Sequence, residues 1–274
     1  MLLSRRAAIK GLLATTVGGL TGTAAYGMGY ERHRIGITET ALPVSGLPPA
    51  LDGLRVGFLT DIHHSGTVPA ADVVRAVDLV RGARPDLIVL GGDYVTFGDR
   101  AFVGPVAELL APLTAPHGVF AILGNHDDDR DMPAALAAQR IEVLRDARTR
   151  IVIRNEPLEL AGVRFWTRRI DDIARVLRKA DQTVLLLAHD PRRLVEAASL
   201  NVPAVLSGHT HGGQVVLPGV GAVARRRFPV LAGLGSRDNT SIFVSRGVGT
   251  VYVPVRINCP PEVAIVTLKR RSQI

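Results

Sequence analysis

Five short apolar runs in this chain each stop at a group of aspartate, histidine or asparagine residues, and this repetition constrains the fold more than any other feature. Leu59-Thr60 runs into Asp61-Ile62-His63-His64, Leu90 into Gly91-Gly92-Asp93-Tyr94, and Leu123 into Gly124-Asn125-His126-Asp127. Leu187-Ala188 runs into His189-Asp190, and Leu206-Ser207 into Gly208-His209-Thr210-His211-Gly212-Gly213. A short continuous apolar run reads as a strand buried on both faces. In open α/β sheets, ligands gather beyond the carboxyl ends of such strands. Of the eight histidines, five (His63, His126, His189, His209 and His211) stand at these ends. A lone Asp-x-His is common by chance, and a lone histidine at a strand end is more often a hydrogen-bonded structural residue. The succession of five carries the reading. Carboxylate, imidazole and amide oxygen without thiolate suit divalent Mn, Fe or Zn. In Asp61-Ile62-His63 the first and third side chains of a leaving strand share a side, so both can reach one ion.

The rest of the chain fills in around these runs. Residues 31–50 are polar, then proline-rich, and read as a linker or first edge strand. Strands are expected at 54–59, 87–90, 119–123, 183–188 and 204–206, with helices over 69–82, 102–110 and 132–139. In the first helix Val73, Val74, Val77 and Val80 lie on one side. After residue 206 the pattern turns all-β, at 215–217, 242–244, 251–253 and 263–268. Strands alternating with helices predict a sheet flanked by helices, and the late strands a second, mostly antiparallel sheet. The chain has 274 residues, 47% of them hydrophobic, enough for a sizeable core. Cys259 is the one cysteine, which excludes an internal disulfide and a multi-cysteine zinc site. Aromatic residues are 4%, which argues against a base-stacking platform and a nucleic-acid scaffold role.

The start of the chain reads as an address. Ser4-Arg5-Arg6-Ala7-Ala8-Ile9-Lys10 resembles the twin-arginine export motif, with Ala8 where that motif usually carries a bulky Phe. The apolar stretch from Gly11 to Ala25 that follows is short and weak for a spanning helix. No acid precedes Glu31, and the small residues Thr23 and Ala25 suit cleavage after Ala25, although an uncleaved anchor fits as well. The organisation expected is a signal or anchor over 1–25, a linker or edge strand over 26–50, and one domain over 51–274. Removing residues 1–25 lowers the formal charge from +8 to +5. That charge is nearly all arginine, so it reads equally as a compositional skew or as a preference for anionic partners.

Asp-x-His, Gly-Asp, Gly-Asn-His-Asp, His and Gly-His-x-His, in this order over residues 51–268, resemble the calcineurin-like metallophosphoesterase superfamily. Gly91-Gly92-Asp93-Tyr94, Gly208-His209-Thr210-His211-Gly212-Gly213-Gln214 and the segment 245–268 resemble its bacterial YkuE- and YaeI-like branch, which includes enzymes similar to UDP-2,3-diacylglucosamine hydrolases. The resemblance implies a two-sheet α/β/β/α sandwich. It implies two divalent ions, Mn, Fe or Zn with Mn favoured: one on Asp61, His63, Asp93 and His211, the other on Asp93, Asn125, His189 and His209. His126 would face substrate, oriented and made more basic by Asp127. Many relatives carry an acid where this chain has Thr96. The chemistry implied is hydrolysis of an anionic phosphoester, a phosphodiester or pyrophosphate of an envelope or lipid-linked substrate, by water acidified between the ions. A general phosphomonoesterase, a nucleotide phosphodiesterase and an inactive metal-stabilised binding protein are the alternatives. The signal implies the twin-arginine translocase as a partner, and a mature protein in the periplasm or on the outer face of the cytoplasmic membrane, where it can associate with the membrane surface.

His64, Arg256 and Arg225-Arg226-Arg227 admit a substrate contact. Against that stand a solvent-facing or supporting role for His64, a salt bridge for Arg256 and a solvated loop for the three arginines. Cys259 reads as inert, and His33 and His117 as surface residues.

Overall fold

A computed structural model describes residues 5–180, 183–222 and 227–271. In chain order they form α1 (Arg5–Gly29), β1 (Gly36–Val44), β2 (Arg55–Leu59), α2 (Ala70–Ala83), β3 (Leu87–Leu90), α3 (Val103–Leu110), β4 (Val119–Ala121), α4 (Asp131–Ala138) and β5 (Glu142–Val143). There follow β6 (Ala147–Ile153), β7 (Glu156–Val163), α5 (Ile170–Val176), β8 (Val184–Ala188), α6 (Leu194–Ser199) and β9 (Ala204–Ser207). The chain ends in β10 (Val216–Leu217), β11 (Gly221–Ala222), β12 (Gly233–Arg237), β13 (Thr240–Val244) and β14 (Glu262–Arg270).

Two six-stranded sheets, ordered β1-β14-β2-β3-β4-β5 and β12-β13-β9-β8-β7-β6, pack face to face. Alternation along the strands explains the layers, because successive side chains point to opposite faces. Leu87 and Val89 of β3 meet Leu185 and Leu187 of β8 in a core between the sheets. Ile88 and Leu90 face the other way, into a second core with Val73, Val77 and Val80 of α2 and Val106 and Leu110 of α3. Leu186 and Ala188 of β8 face a third core with Ile173 of α5 and Leu194 of α6. The result is the α/β/β/α sandwich.

Several expectations need correction. Strands β8 and β9 belong to the second sheet, whose centre is parallel; only its edge pairs, β6 with β7 and β12 with β13, are antiparallel. The last strand, β14, joins the first sheet instead, antiparallel to β2 and parallel to the edge strand β1. Residues 251–253 are not a strand, and Val74 is exposed while Ala76 takes the buried position. The β6–β7 hairpin was not expected; it turns at Arg154 and Asn155, both left-handed (φ 52° and 65°), as a two-residue turn of the mirror-image type requires.

Of the N-terminal motif, Ser4 lies outside the described residues. The helix that follows docks by its last turn: Gly27 packs on Val255 and Ile257, and its carbonyl accepts from the Arg256 amide. No helix among the described residues is long and apolar enough to cross a membrane.

Candidate metal centre

The carboxyl ends of β2, β3 and β4 in one sheet face those of β8 and β9 in the other. Backbone bonds clip the loops that leave them. The Asp61 amide donates to the Gly92 carbonyl, the His63 amide to the Asp93 carbonyl, and the Gly208 amide to the His189 carbonyl. Asp61, His63, Asp93, His209 and His211 all have positive φ, between 51° and 71°. Left-handed backbone costs on the order of 1–3 kcal/mol per residue and persists only where the surroundings over-determine it. Gly124 and Gly208 are required by close approach: a Cβ on the first would collide with the Asp93 carboxylate, and on the second with that of Asp61.

Six of the seven predicted ligands fall into two clusters. Ligand atoms of Asp61, His63 and His211 lie within 4.8 Å of one another, as do those of Asp93, His189 and His209. His63 Nε2 is 3.2 Å from His211 Nε2, and His211 Nε2 is 3.4 Å from Asp61 Oδ1. Asp93 Oδ2 is 3.5 Å from His63 Nε2 and 3.1 Å from His189 Nε2, so this one carboxylate reaches both clusters. Asn125 Oδ1 and His189 Nε2 are buried without a hydrogen-bond partner. Buried polar atoms are nearly always paired; orphaned oxygen and nitrogen atoms beside a carboxylate fit a divalent ion. His189 Nδ1 sits 2.7 Å from the Gly91 carbonyl, which fixes its proton there and leaves Nε2 as the inward ligand atom.

The electrostatics separate the imidazoles. Burial pushes His63 down to about 3 and His209 down to about 4, and holds His211 well below its ordinary range. At His189 burial acts against the charged form, but Asp93 and Asp61 overcome it and raise the ring to about 10. Burial and then Asp93 raise Asp61 to about 6, against the pull of His189. Asp93 goes the other way: burial opposes its charge, but the charge on His189 holds it below the usual carboxylate range.

Asp127 does not orient His126. Its carboxylate accepts from the backbone amides of Asp93, Tyr94 and Gly124, at 2.7 to 2.8 Å, and so ties the β3 loop to the β4 loop. Burial, aided by Asp93, pushes it up to about 7. The group that fixes His126 is the Phe97 amide, which donates to Nδ1 at 3.0 Å and places the ring proton on Nε2. Burial lowers the pKa of His126, opposite to the expected direction. The sequence missed Phe97 because a backbone donor has no side-chain signature. Thr96 Oγ1 lies 3.4 Å from His63 Nδ1, so a hydroxyl stands where the resemblance led to the expectation of an acid.

Other candidates resolve into structure. His64 is buried, 2.9 Å from the Val68 carbonyl and edge-on to Phe102. Arg256 is fully buried and, among the described residues, has no carboxylate partner; it donates instead to the carbonyls of Arg246, Gly247, Gly249 and Cys259. It thereby shapes the 246–259 loop, whose Gly249 amide donates to the Asp61 carbonyl. Cys259 is buried with Sγ on the His211 carbonyl. Of the three consecutive arginines, Arg225 and Arg226 lie outside the described residues and Arg227 is exposed. His33 is half-buried and pairs with Asp72.

Residues 54–213 match the family model described as calcineurin-like phosphoesterase. The chain is 31% identical, over 97% of its length and 98% of the other's, to the Bacillus subtilis protein named uncharacterized metallophosphoesterase YkuE. It is 33% identical to Escherichia coli phosphodiesterase YaeI, over 78% of this chain and 82% of that one. An uncharacterized metallophosphoesterase of Aquifex aeolicus is 37% identical over 88% of this chain and 95% of its own.

Proposed function

This chain belongs to the calcineurin-like phosphoesterase family and is a metal-dependent phosphoester hydrolase, and from that premise we propose that it cleaves a phosphodiester or pyrophosphate of an envelope or lipid-linked substrate after twin-arginine export. The observation that carries the reading is the position of Asp93 between two clusters, together with Asn125, whose Oδ1 is buried and unpartnered and whose chain neighbours Gly124 and His126 both meet the Asp93 carboxylate. In the proposed arrangement Asp61, His63, His211 and Asp93 hold one divalent ion, and Asp93, Asn125, His189 and His209 hold the second. This oxygen and imidazole donor set suits Mn, Fe or Zn, and the family resemblance favours manganese among them. Such a pair supplies Lewis-acid charge for the phosphoryl oxygens and an acidified water.

The chain's own residues do the rest. The left-handed backbone at five of the ligands presets their directions, so little reorganisation is needed when charge develops. His126, with its proton fixed on Nε2 by the Phe97 amide, offers a hydrogen bond from Nε2 to the departing or phosphoryl oxygen. Asp127 keeps the β3 and β4 loops in register, and thus Asp93 and Asn125 with them.

The diester preference is supported by the phosphodiesterase name of the E. coli relative. Export is supported by the Arg5-Arg6 pair and the absence of acids before Glu31. Cleavage after Ala25 would leave the docked turn at Gly27 in place.

The test is a hydrolysis screen of purified protein loaded with Mn, Fe or Zn, covering bis(p-nitrophenyl) phosphate, monoesters and UDP-diacylglucosamine. The expected result is diester or pyrophosphate cleavage with two ions per chain. A fully loaded protein that hydrolyses none of them overturns the reading. Arg5 and Arg6 changed to Lys should hold the protein in the cytoplasm, because lysine keeps the charge but not the guanidinium; unchanged export would overturn the address.

A further inference from the structure

A cavity of about 560 Å³ opens beside His126, lined among others by Ser65, Thr67, Phe97, Asp99, Tyr252 and Val253. A row of edge-on and tilted ring contacts links its wall to the metal centre. His63 and His126 have centroids 4.9 Å apart, His126 and Phe97 5.0 Å, and Phe97 and Tyr252 5.7 Å. Two things about the outer rings are costly. Phe97 is 66% exposed and Tyr252 79%, so neither gains the ~1.5–3 kcal/mol that a buried large side chain contributes. Both also sit in the left-handed region, with φ of 52° and 63°, where a bulky residue is a strained outlier. Neither ring is needed to fill a core. Strain of this kind gathers where a site must present a side chain in one direction.

The lining states what the rings would meet. It contains hydroxyls from Ser65, Thr67, Thr96 and Thr250, one carboxylate from Asp99, and no lysine, arginine or histidine. A second phosphate or carboxylate would find nothing there to offset its charge. Ser65 and Thr67 share one hydrogen bond and Thr96 donates to the His63 carbonyl, yet each hydroxyl keeps further hydrogen-bonding capacity that a saturated alkyl group would leave unused. An uncharged alcohol with an apolar C–H face and several hydroxyls satisfies both sets.

The geometry points to this cavity as the leaving-group subsite of a phosphodiester, shaped for a glyceryl or glycosyl alcohol, with Phe97 and Tyr252 as its specificity-determining platform. The inference rests on the phosphoesterase reading above. In the reaction, water adds its oxygen to phosphorus, the P–O bond to the alcohol breaks, and the alcohol departs with a proton from that water. His126 lies at the boundary between centre and cavity, where its Nε2–H meets the departing oxygen. The retained phosphate stays on the metal side.

The experiment compares methyl phosphate diesters of glycerol, of the glucose 6-hydroxyl, of ethanol, and of glycerol carrying a second phosphate, followed by 31P NMR with the Mn-loaded full chain. The glyceryl or the glycosyl diester should exceed the ethyl diester by about 10-fold or more in kcat/KM, chiefly through KM. Whichever of the two is preferred identifies the alcohol. The second phosphate should abolish the advantage. In Phe97→Ala and in Tyr252→Ala the preference should collapse to about 2-fold; both side chains are exposed, so unchanged melting temperatures separate lost recognition from lost folding. Equal rates for all four diesters in the native chain, or a preference that survives both substitutions, overturns the subsite. Turnover of bis(p-nitrophenyl) phosphate separates the two levels. Where it persists without alcohol preference, the subsite alone fails; where it is absent from a fully loaded chain, the phosphoesterase reading fails and the subsite with it.

Discussion

The two clusters of the centre differ in how the chain encloses them. Asp61, His63 and His211 are all buried, roofed by the 246–250 segment whose Val248 and Gly249 amides donate to the carbonyls of Thr60 and Asp61. Arg256, itself fully buried, holds that roof by three of its carbonyls, those of Arg246, Gly247 and Gly249. Asp93 and His189 are as deeply placed, but His209 is only half-buried and faces the rings of Phe165 and Phe228 at 5.1 and 5.5 Å. Outside those rings lie Arg168 and Arg192. One cluster is therefore a closed seat, made by folding the end of the chain over the end of β2. The other is the open side, with an aromatic and cationic rim. Closure favours retention of an ion, and openness favours exchange and the approach of an anion.

The comparison breaks most completely at the residue the clusters share. Asp93→Asn should empty both, because one carboxylate stands between them. Metal analysis should fall well below two ions per chain, and activity should drop by at least about 10³-fold, the equivalent of losing several kcal/mol of charge stabilisation. Two retained ions with native turnover would remove the basis for treating the clusters as a pair.

Next in size are His126 and its neighbour. His126→Ala should keep both ions and lose about 10²–10⁴-fold on alkyl phosphoesters, with a smaller loss on nitrophenyl esters, whose leaving groups need no donor. Asp127→Asn should behave differently. It turns an acceptor of three backbone amides into a group with one acceptor oxygen, so stability should fall by about 1–3 kcal/mol. The dependence of rate on leaving-group pKa should stay as in the native chain. A steeper dependence in Asp127→Asn would restore the orienting role that the geometry denies it.

The closed seat can be tested alone. A Cβ at Gly249 would press on the Ile62 carbonyl and stand 3.0 Å from His63 Cβ. Gly249→Ala should lower stability by about 1–3 kcal/mol and weaken one ion in preference to the other. Equal weakening of both ions would show that the roof does not belong to one cluster.

How far this division was legible in the sequence follows from its physics. The strand ends were legible because a buried parallel strand announces itself as an apolar run, and aspartate and histidine directly after such a run are conspicuous. Asp61, His63 and His211 come together for that reason, as do Asp93, His189 and His209. Sheet membership was not legible: β8 and β14 have similar apolar runs, and only pairing across the core sends one to each sheet. The β6–β7 hairpin was hidden because β6, an edge strand, carries Arg148 and Thr149 half-buried and Arg150 exposed. Asn155 in its turn was the available signal. Arg256 looked like a substrate or ion-pair residue because its five donors are visible in sequence and the carbonyls that take them are not.

Proton linkage distinguishes the clusters more gently. Burial holds His63 down to about 3 and His211 well below its ordinary range, and Asp61 is ionised above about 6, so the closed cluster has no histidine proton to lose on binding an ion near neutrality. His189 is charged below about 10 and must release its Nε2 proton to become a ligand. Affinity at the open cluster should fall about tenfold for each unit of pH below 10, while the closed cluster stays level down to about 6. Metal titration in weakly buffered solution at pH 7 should release about one proton per chain, attributable to His189. Parallel pH profiles for the two ions would refute the assignment of that proton.

The smallest effect is expected at the rim. Arg168 is exposed and stacks on Trp166 and Phe165, its Cζ 4.9 and 5.4 Å from the ring centroids. A planar guanidinium held this way keeps its donors directed outward, beside the open cluster, where a second anionic group of a substrate would pass. An exposed cation contributes a fraction of a kcal/mol to about 1 kcal/mol. Arg168→Ala should therefore raise KM a few-fold for a substrate carrying a second phosphate, with little change in kcat and in the content of both ions. The effect should shrink in high salt, because exposed charges are screened. Arg168→Lys should recover only part of it, since an ammonium keeps the charge and loses the stack. A KM change that is independent of salt and of substrate charge would mean that the rim acts by shape, and that the two sides of the centre differ in burial but not in electrostatics.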